Sequence, residues 1–220
     1  MQPASPVPFD GIVFDFDGVI CDTEWPEYEA CRHAWASHGL DLTVDEWHHA
    51  IGTAAYDWQA HLATRLGLTL LPSASVEVRR ARHRELVDRQ PVLAGVEALL
   101  AVGLPCAIAS NSPVSWVDRN LRRLGLRDRF VSIHGIDTVV NGKPAPDSYL
   151  AACASIGVAP ARAVAFEDSA TGVAAAKAAG LFCVAVPHAL SVAHDFSRAD
   201  LVVDSLASVE LASMNLSSPL

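Results

Sequence analysis

One short stretch constrains the fold more than any other. Gly11-Ile12-Val13-Phe14 runs without a polar break into Asp15-Phe16-Asp17-Gly18. A continuous apolar, β-prone run predicts a strand buried on both faces, as in a parallel sheet, and its end in two carboxylates places chemistry at the strand's C-terminal tip. Similar runs recur at 104–109, 130–133, 163–166, 182–186 and 201–203, with helical patterns between most of them. Ser112-Pro113 opens one helix, with Val114, Val117, Leu121 and Leu124 at helical spacing and Gly125 closing it. Asp147 is expected to cap a second helix, in which Tyr149, Leu150, Cys153 and Ile156 share a face, and Ser169 to cap an Ala-rich third that stops at Gly180. Strand and helix in alternation imply an α/β fold, a Rossmann-like parallel sheet flanked by helices.

One segment breaks the rhythm. From 23 to 90 there is no convincing strand, only helical patterns: Tyr28, Cys31 and Trp35 before Gly39, a capping box at Thr43-Val44-Asp45-Glu46, then Trp58, Leu62 and Leu66 before Gly67, and a last run from Ser73 to Gln90. We therefore expect two domains, a core of 1–22 plus 91–220 and an all-helical insert of 23–90.

With 51% hydrophobic and 19% charged residues, the chain has ample material for a core and no compositional case for disorder. A net charge of −9 argues against a nucleic-acid or anionic-membrane partner, each of which needs a basic face. No apolar run approaches the ~18–20 residues of a membrane helix, and the N-terminal segment does not read as a signal peptide. The five cysteines form no CxxC pair, which fits free thiols in a cytoplasmic chain.

Four pieces carry candidate chemistry, each where a strand ends. In 15–24, Asp15 and Asp17 can serve one centre as nucleophile and general acid/base; the acidic pattern of a calcium loop is not continued. In 109–113, Ser110 offers a hydroxyl and Asn111 a backbone N–H to a phosphoryl oxygen, although the residues alone favour an ordinary strand-to-helix turn capped by Ser112. In 141–147, Lys143 is one of only two lysines in the chain, held between Gly142 and Pro144; no Ser or Thr follows it, so this is not a Walker loop. Its ammonium can neutralise a phosphate, or simply be a solvated turn lysine. In 165–172, Glu167 and Asp168 offer hard oxygen ligands to Mg²⁺, or ordinary first-turn helix capping. The nine histidines show no metal-binding spacing; His48 and His49 point to different sides of one helix.

These pieces, in this order on alternating strands, resemble the haloacid dehalogenase superfamily. The matching residues are Asp15-x-Asp17-Gly18, Ser110, Gly142-Lys143-Pro144-x-Pro146-Asp147 and Glu167-Asp168-Ser169, and the wording of 17–24 and 142–147 is similar to the β-phosphoglucomutase-like phosphatase branch. The resemblance implies that the insert is a helical cap, that Asp15 attacks phosphorus to form an aspartyl-phosphate, and that Asp17 is the acid/base. It implies Mg²⁺ on the Asp15 carboxylate, the Asp17 backbone carbonyl and Asp168, with Glu167 a ligand or a supporting partner. Ser110 and Lys143 would hold the phosphoryl group, with the Phe16 and Asn111 backbones nearby.

Departures narrow the activity. Asp17 is present, which favours phosphoryl transfer over dehalogenation, and 24–90 contains no lysine for a Schiff base. Where a mutase of this branch carries a His and a cap Arg, the chain has Glu27 and Ala55, the latter counted from Gly52. The expected activity is therefore Mg²⁺-dependent hydrolysis of a small phosphorylated metabolite. Alternatives are a sugar-phosphate mutase and a catalytically silent binding protein, which the intact Asp15, Asp17, Lys143 and Asp168 disfavour. A monomer or weak homo-oligomer is expected. Arg79, Arg80, Arg82, Arg84 and Arg89 make the last helix of the insert basic; one can reach a second anionic group on the substrate, while most must face solvent. Trp25, Tyr56 and Trp58 can line a cleft or pack the insert.

Overall fold

The fold is described from a computed structural model over residues 8–48, 58–65, 67–69 and 73–214. The expected Leu66, His49, Gly52, Ala55 and Tyr56 lie outside these residues, as do the side chains of His48, Trp58 and Leu62.

Six strands form one parallel sheet: β1 (Gly11–Phe14), β2 (Cys106–Ala109), β3 (Ser132–His134), β4 (Ala163–Glu167), β5 (Phe182–Ala185) and β6 (Leu201–Val202). Their spatial order is β3-β2-β1-β4-β5-β6, with every pair parallel. The chain moves from β1 to β2 on one side and returns with β4 on the other, so the order reverses at β1. In open α/β sheets such a switch point leaves a crevice outside the strands' carboxyl ends. The residues after β1 and at the end of β4 line that crevice.

Among the described residues, five helices lie between β1 and β2: α1 (Glu24–Ala36), α2 (Val44–His48), α3 (Trp58–Arg65), α4 (Ser73–Val87) and α5 (Val96–Leu100). The core side adds α6 (Val114–Arg123), α7 (Asp147–Ser155) and α8 (Ala170–Ala179). The short α5 has no counterpart in the sequence expectations; five residues are too few to show helical periodicity.

Side-chain size differs between the two faces of the sheet. On one, Ile12, Phe14, Ile108, Val164 and Phe166 pack with Val96 and Leu99 of α5 and Val117 and Leu121 of α6. Phe14 stacks on Phe166 at 5.2 Å between ring centroids and meets the edge of Phe130 at 5.9 Å. On the other, Ala107, Ala109, Ala163, Ala165 and Ala185 flank Val13 and let α7 and α8 approach closely. All five cysteines are free and buried, as expected of small core residues.

A third apolar cluster gathers Tyr28, Cys31, Ala34 and Trp35 of α1 with Leu42 and Trp47. The capping box forms: Thr43 N–H donates to Glu46 Oε2 at 2.9 Å and Glu46 N–H to Thr43 Oγ1 at 3.3 Å. The two passages between these helices and the sheet run side by side, Cys21 bridging to Val92 and Leu93 N–H donating to Ile20 O at 2.9 Å.

Two caps differ from expectation. Helix α7 begins at Asp147 itself, and the Asp147 carboxylate instead accepts from the backbone and side-chain amides of Asn141. Ser112 does not cap α6; Asp137 Oδ1 takes the Val114 N–H at 2.9 Å, which frees the Ser112 hydroxyl for Asp17. Ser169 does cap α8, accepting from Gly172 N–H, and Gly180 ends it in the left-handed conformation.

Candidate active site

Asp15 leaves β1, Glu167 ends β4 and Asp168 follows it, so neighbouring strands deliver three carboxylates to the switch point. All three are buried, and one oxygen of each lies within 4.8 Å of the others. Lys143 comes in from the loop before α7; its Nζ stands 2.6 Å from Glu167 Oε1 and 2.9 Å from Asp15 Oδ1. Burial works against the ammonium, but the facing Asp15 and Glu167 outweigh it, and its pKa lies above the ordinary lysine value.

Glu167 is fully enclosed and saturated. Oε1 accepts from Lys143 Nζ and from the Tyr149 hydroxyl at 2.6 Å; Oε2 accepts from Asp168 N–H and Ser169 Oγ, both at 3.2 Å. A Cβ on Gly172 would lie 1.9 Å from Oε1, so the first turn of α8 must be bare there. Gly18 is constrained likewise: its φ is +72°, and a Cβ would meet Asp168 Oδ2 at 2.0 Å.

Asp17 turns away from this cluster into a cage of four donors. Thr23 Oγ1 and Trp116 Nε1 donate to Oδ1 at 2.8 and 3.2 Å; Ser112 Oγ and Ser110 Oγ donate to Oδ2 at 2.6 and 3.4 Å. Trp116 in turn stacks on His83 of α4. Asn111 acts through its side chain as well as its place in the chain. Its Oδ1 accepts from Lys143 N–H at 2.8 Å and its Nδ2 donates to Lys143 O at 3.2 Å, fastening the lysine loop to the end of β2. Phe16 is buried in the core beneath the site.

Among Asp15, Glu167, Asp168 and Lys143, three carboxylates face one ammonium. Desolvation, followed for Asp15 by relief from Lys143 and repulsion from Glu167, holds the Asp15 carboxyl well above the usual carboxylate range. Asp168 is raised for the same first reason, with Glu167 the next largest cause. Glu24, at the start of α1, is pushed up to about 8 by burial and by the Asp168 and Asp17 charges. Asp15 Oδ1 is buried and receives no aligned hydrogen bond. Hard oxygen donors with an excess of negative charge fit a divalent cation such as Mg²⁺.

On the helical side, Glu27 pairs with Arg79 and lies 3.4 Å from His83 Nδ1. Arg82 and Arg89 pair with Glu85 in solvent, as the solvent-facing reading of the basic helix requires. Trp25 is 42% exposed. Sequence reasoning missed Thr23, Ser112, Trp116, Tyr149 and His188, which donate to the site's carboxylates or stand against them. Tyr149 had a signal as an apolar-face residue, but its hydroxyl's partner is set by tertiary placement alone.

The haloacid dehalogenase-like hydrolase family profile matches residues 9–180. The chain belongs to the haloacid dehalogenase-like hydrolases. YhcW of Bacillus subtilis, provisionally named a phosphatase, is 38% identical over 206 residues, 91% of this chain and 94% of that one. The phosphorylated carbohydrates phosphatase of Thermotoga maritima is 34% identical over 178 residues, covering 78% and 82%. Among solved structures, CbbY from Rhodobacter sphaeroides in complex with phosphate superposes with a TM-score of 0.74 at 28% identity, covering 91% and 96%. The haloacid dehalogenase-like fold and a hydrolase of the phosphatase kind, both expected from the sequence, are thereby borne out. Among the described residues no helix is long and apolar enough to cross a membrane.

Proposed function

We propose that the chain is a Mg²⁺-dependent phosphatase acting on a small sugar phosphate through an aspartyl-phosphate on Asp15. The observation that carries this reading is the buried trio Asp15, Glu167 and Asp168 around the single ammonium of Lys143 at the tips of β1 and β4. Relatives support the substrate class: one is named for phosphorylated carbohydrates, another is the fructose-1-phosphate phosphatase YqaB of Escherichia coli, and a CbbY structure holds xylulose-1,5-bisphosphate.

In this reading an Asp15 oxygen attacks phosphorus and the bond to the sugar oxygen breaks, with Asp17 giving its proton to that leaving oxygen. Asp17 then takes a proton from the water that attacks the phosphoryl group, and Asp15 is regenerated. Lys143 neutralises charge on the phosphoryl oxygens and on Asp15, while Ser110 and the backbones of Phe16 and Asn111 hold the group. Asp15, Asp168 and the Asp17 backbone carbonyl would hold Mg²⁺, which when bound would supply further charge neutralisation. Glu167, with both oxygens already taken, serves Lys143 rather than the cation. Residues 23–90 act as a cap that excludes water, on hinges near 21–24 and 90–95.

Hydrolysis is favoured over a mutase because the position expected to carry a mutase His is Glu27, engaged by Arg79 and His83. The test is phosphate release from a panel of sugar phosphates and nucleotides with Mg²⁺. Release from one or more sugar phosphates is expected; no release from any phosphomonoester overturns the reading.

A further inference from the structure

The turn after β5 touches both halves of the molecule. His188 Nε2 lies 2.9 Å from Asp168 Oδ2, on an oxygen that Gly18 also approaches. Two residues on, Leu190 is buried among Tyr28, Cys31, Ala34 and Trp35 of α1 with Leu42 and Trp47. Among the described residues it is the one member of that fully buried cluster from outside 23–90. The turn between them is closed on itself. His188 N–H donates to Ser191 Oγ at 3.1 Å, and the Ser191 and Val192 amides both donate to His188 O at 2.9 Å.

One bond decides how the imidazole works. The Leu190 N–H donates to His188 Nδ1 at 3.2 Å, so Nδ1 is the acceptor and the ring hydrogen sits on Nε2. His188 therefore donates to Asp168 and fixes the carboxylate's rotation, and the ring is itself oriented by the backbone of the residue plugged into the helical cluster.

We propose that His188 is a positioning residue for Asp168, and that Leu190 makes its grip depend on how the helices of 23–90 are seated on the core. Seating those helices and binding the cation would then favour each other, because coupling between two binding events is reciprocal. The proposal rests on the reading of Asp168 as a Mg²⁺ ligand. It adds a residue outside the four motifs and a route by which cap position reaches the cation site.

The test is Mg²⁺ titration calorimetry on the full chain, with the Tm of each variant measured in EDTA as a control for folding. His188→Ala is expected to weaken Mg²⁺ binding about 10–100-fold, the usual loss when a ligand's orienting partner is removed. Its Tm in EDTA should stay near wild type, since the side chain is 26% exposed and packs no core. His188→Gln, whose amide can donate to Asp168, should recover part of the affinity. Leu190→Ala touches neither carboxylate nor cation and should still weaken Mg²⁺ several-fold, whereas the volume-conserving Leu190→Met should bind like wild type. Wild-type binding matched within twofold by His188→Ala overturns the positioning role. Mg²⁺ affinity unchanged in a folded Leu190→Ala overturns the coupling; should that variant not fold, weak Mg²⁺ binding by a folded Leu190→Met does so. Wild-type protein that binds no Mg²⁺ overturns the metal reading itself, and this proposal with it.

Discussion

Lys143 Nζ donates to Glu167 Oε1 at 2.6 Å, with both groups buried. A lysine charge is stable there only because Glu167 and Asp15 stand against it, and Glu167 is stable only because four donors enclose it. The pair gives the site a fixed positive point at the mouth of a sheet that is otherwise acidic at its tips.

Removing that balance should destabilise the protein. Glu167→Gln is expected to lower stability by about 3 kcal/mol, the low end for breaking a buried pair because Asp15 remains. Urea denaturation in EDTA measures it, and a loss under about 1 kcal/mol contradicts the assignment. Gly172→Ala should cost about 1–3 kcal/mol, since the added methyl meets a carboxylate that cannot move.

The cation should stabilise the fold with a definite pH sign. Mg²⁺ at 100 times its Kd adds about 2.7 kcal/mol, or roughly 5–10 °C in Tm for a chain of this size. Asp15 and Asp168 have folded-state pKa values raised above 3.8, so without metal they cost stability above those values, and the cost fades as pH falls through them toward 3.8. Mg²⁺ competes with those protons, so its stabilisation should grow as pH rises through the same window. Scanning calorimetry at several pH values, with and without Mg²⁺, checks this; a Mg²⁺ increment independent of pH contradicts it.

Asp17→Asn should lower kcat by ~10²–10⁴-fold while KM changes far less, the usual worth of a general acid/base. The amide can remain in the cage of Thr23, Ser110, Ser112 and Trp116. Steady-state kinetics with a sugar phosphate decides, and near wild-type turnover would place the proton donor elsewhere.

Hydrolysis should outrun isomerisation. With β-glucose 1-phosphate and a trace of the bisphosphate, free phosphate is expected to appear faster than glucose 6-phosphate, because Glu27 is committed to Arg79 and His83. The reverse order would restore the mutase.

Much of this was legible in the sequence because strand tips and motif order are local. The run Gly11–Phe14 announces a buried parallel strand by composition alone; Asp15 and Asp168 directly follow recognisable strands, and Lys143 sits in a turn between Gly142 and Pro144. The donors to the site were not legible for the opposite reason. Trp116 reads as one more helix residue until α6 is laid beside Asp17, and His188 stands 20 residues from the carboxylate it holds. The caps failed likewise: Ser112 has good local chemistry for α6, but the negative charge of Asp17 is a better partner for its hydroxyl.

The central claim is that Asp15 carries the phosphoryl group. Asp17→Asn protein, mixed with p-nitrophenyl phosphate, whose leaving group needs no proton, and quenched in acid, should yield the phosphorylated peptide containing Asp15, because formation of the intermediate no longer needs the acid while its breakdown lacks the base. Phosphate found on another residue, or substrate consumed by the wild type while neither protein ever yields that phosphopeptide, would contradict it.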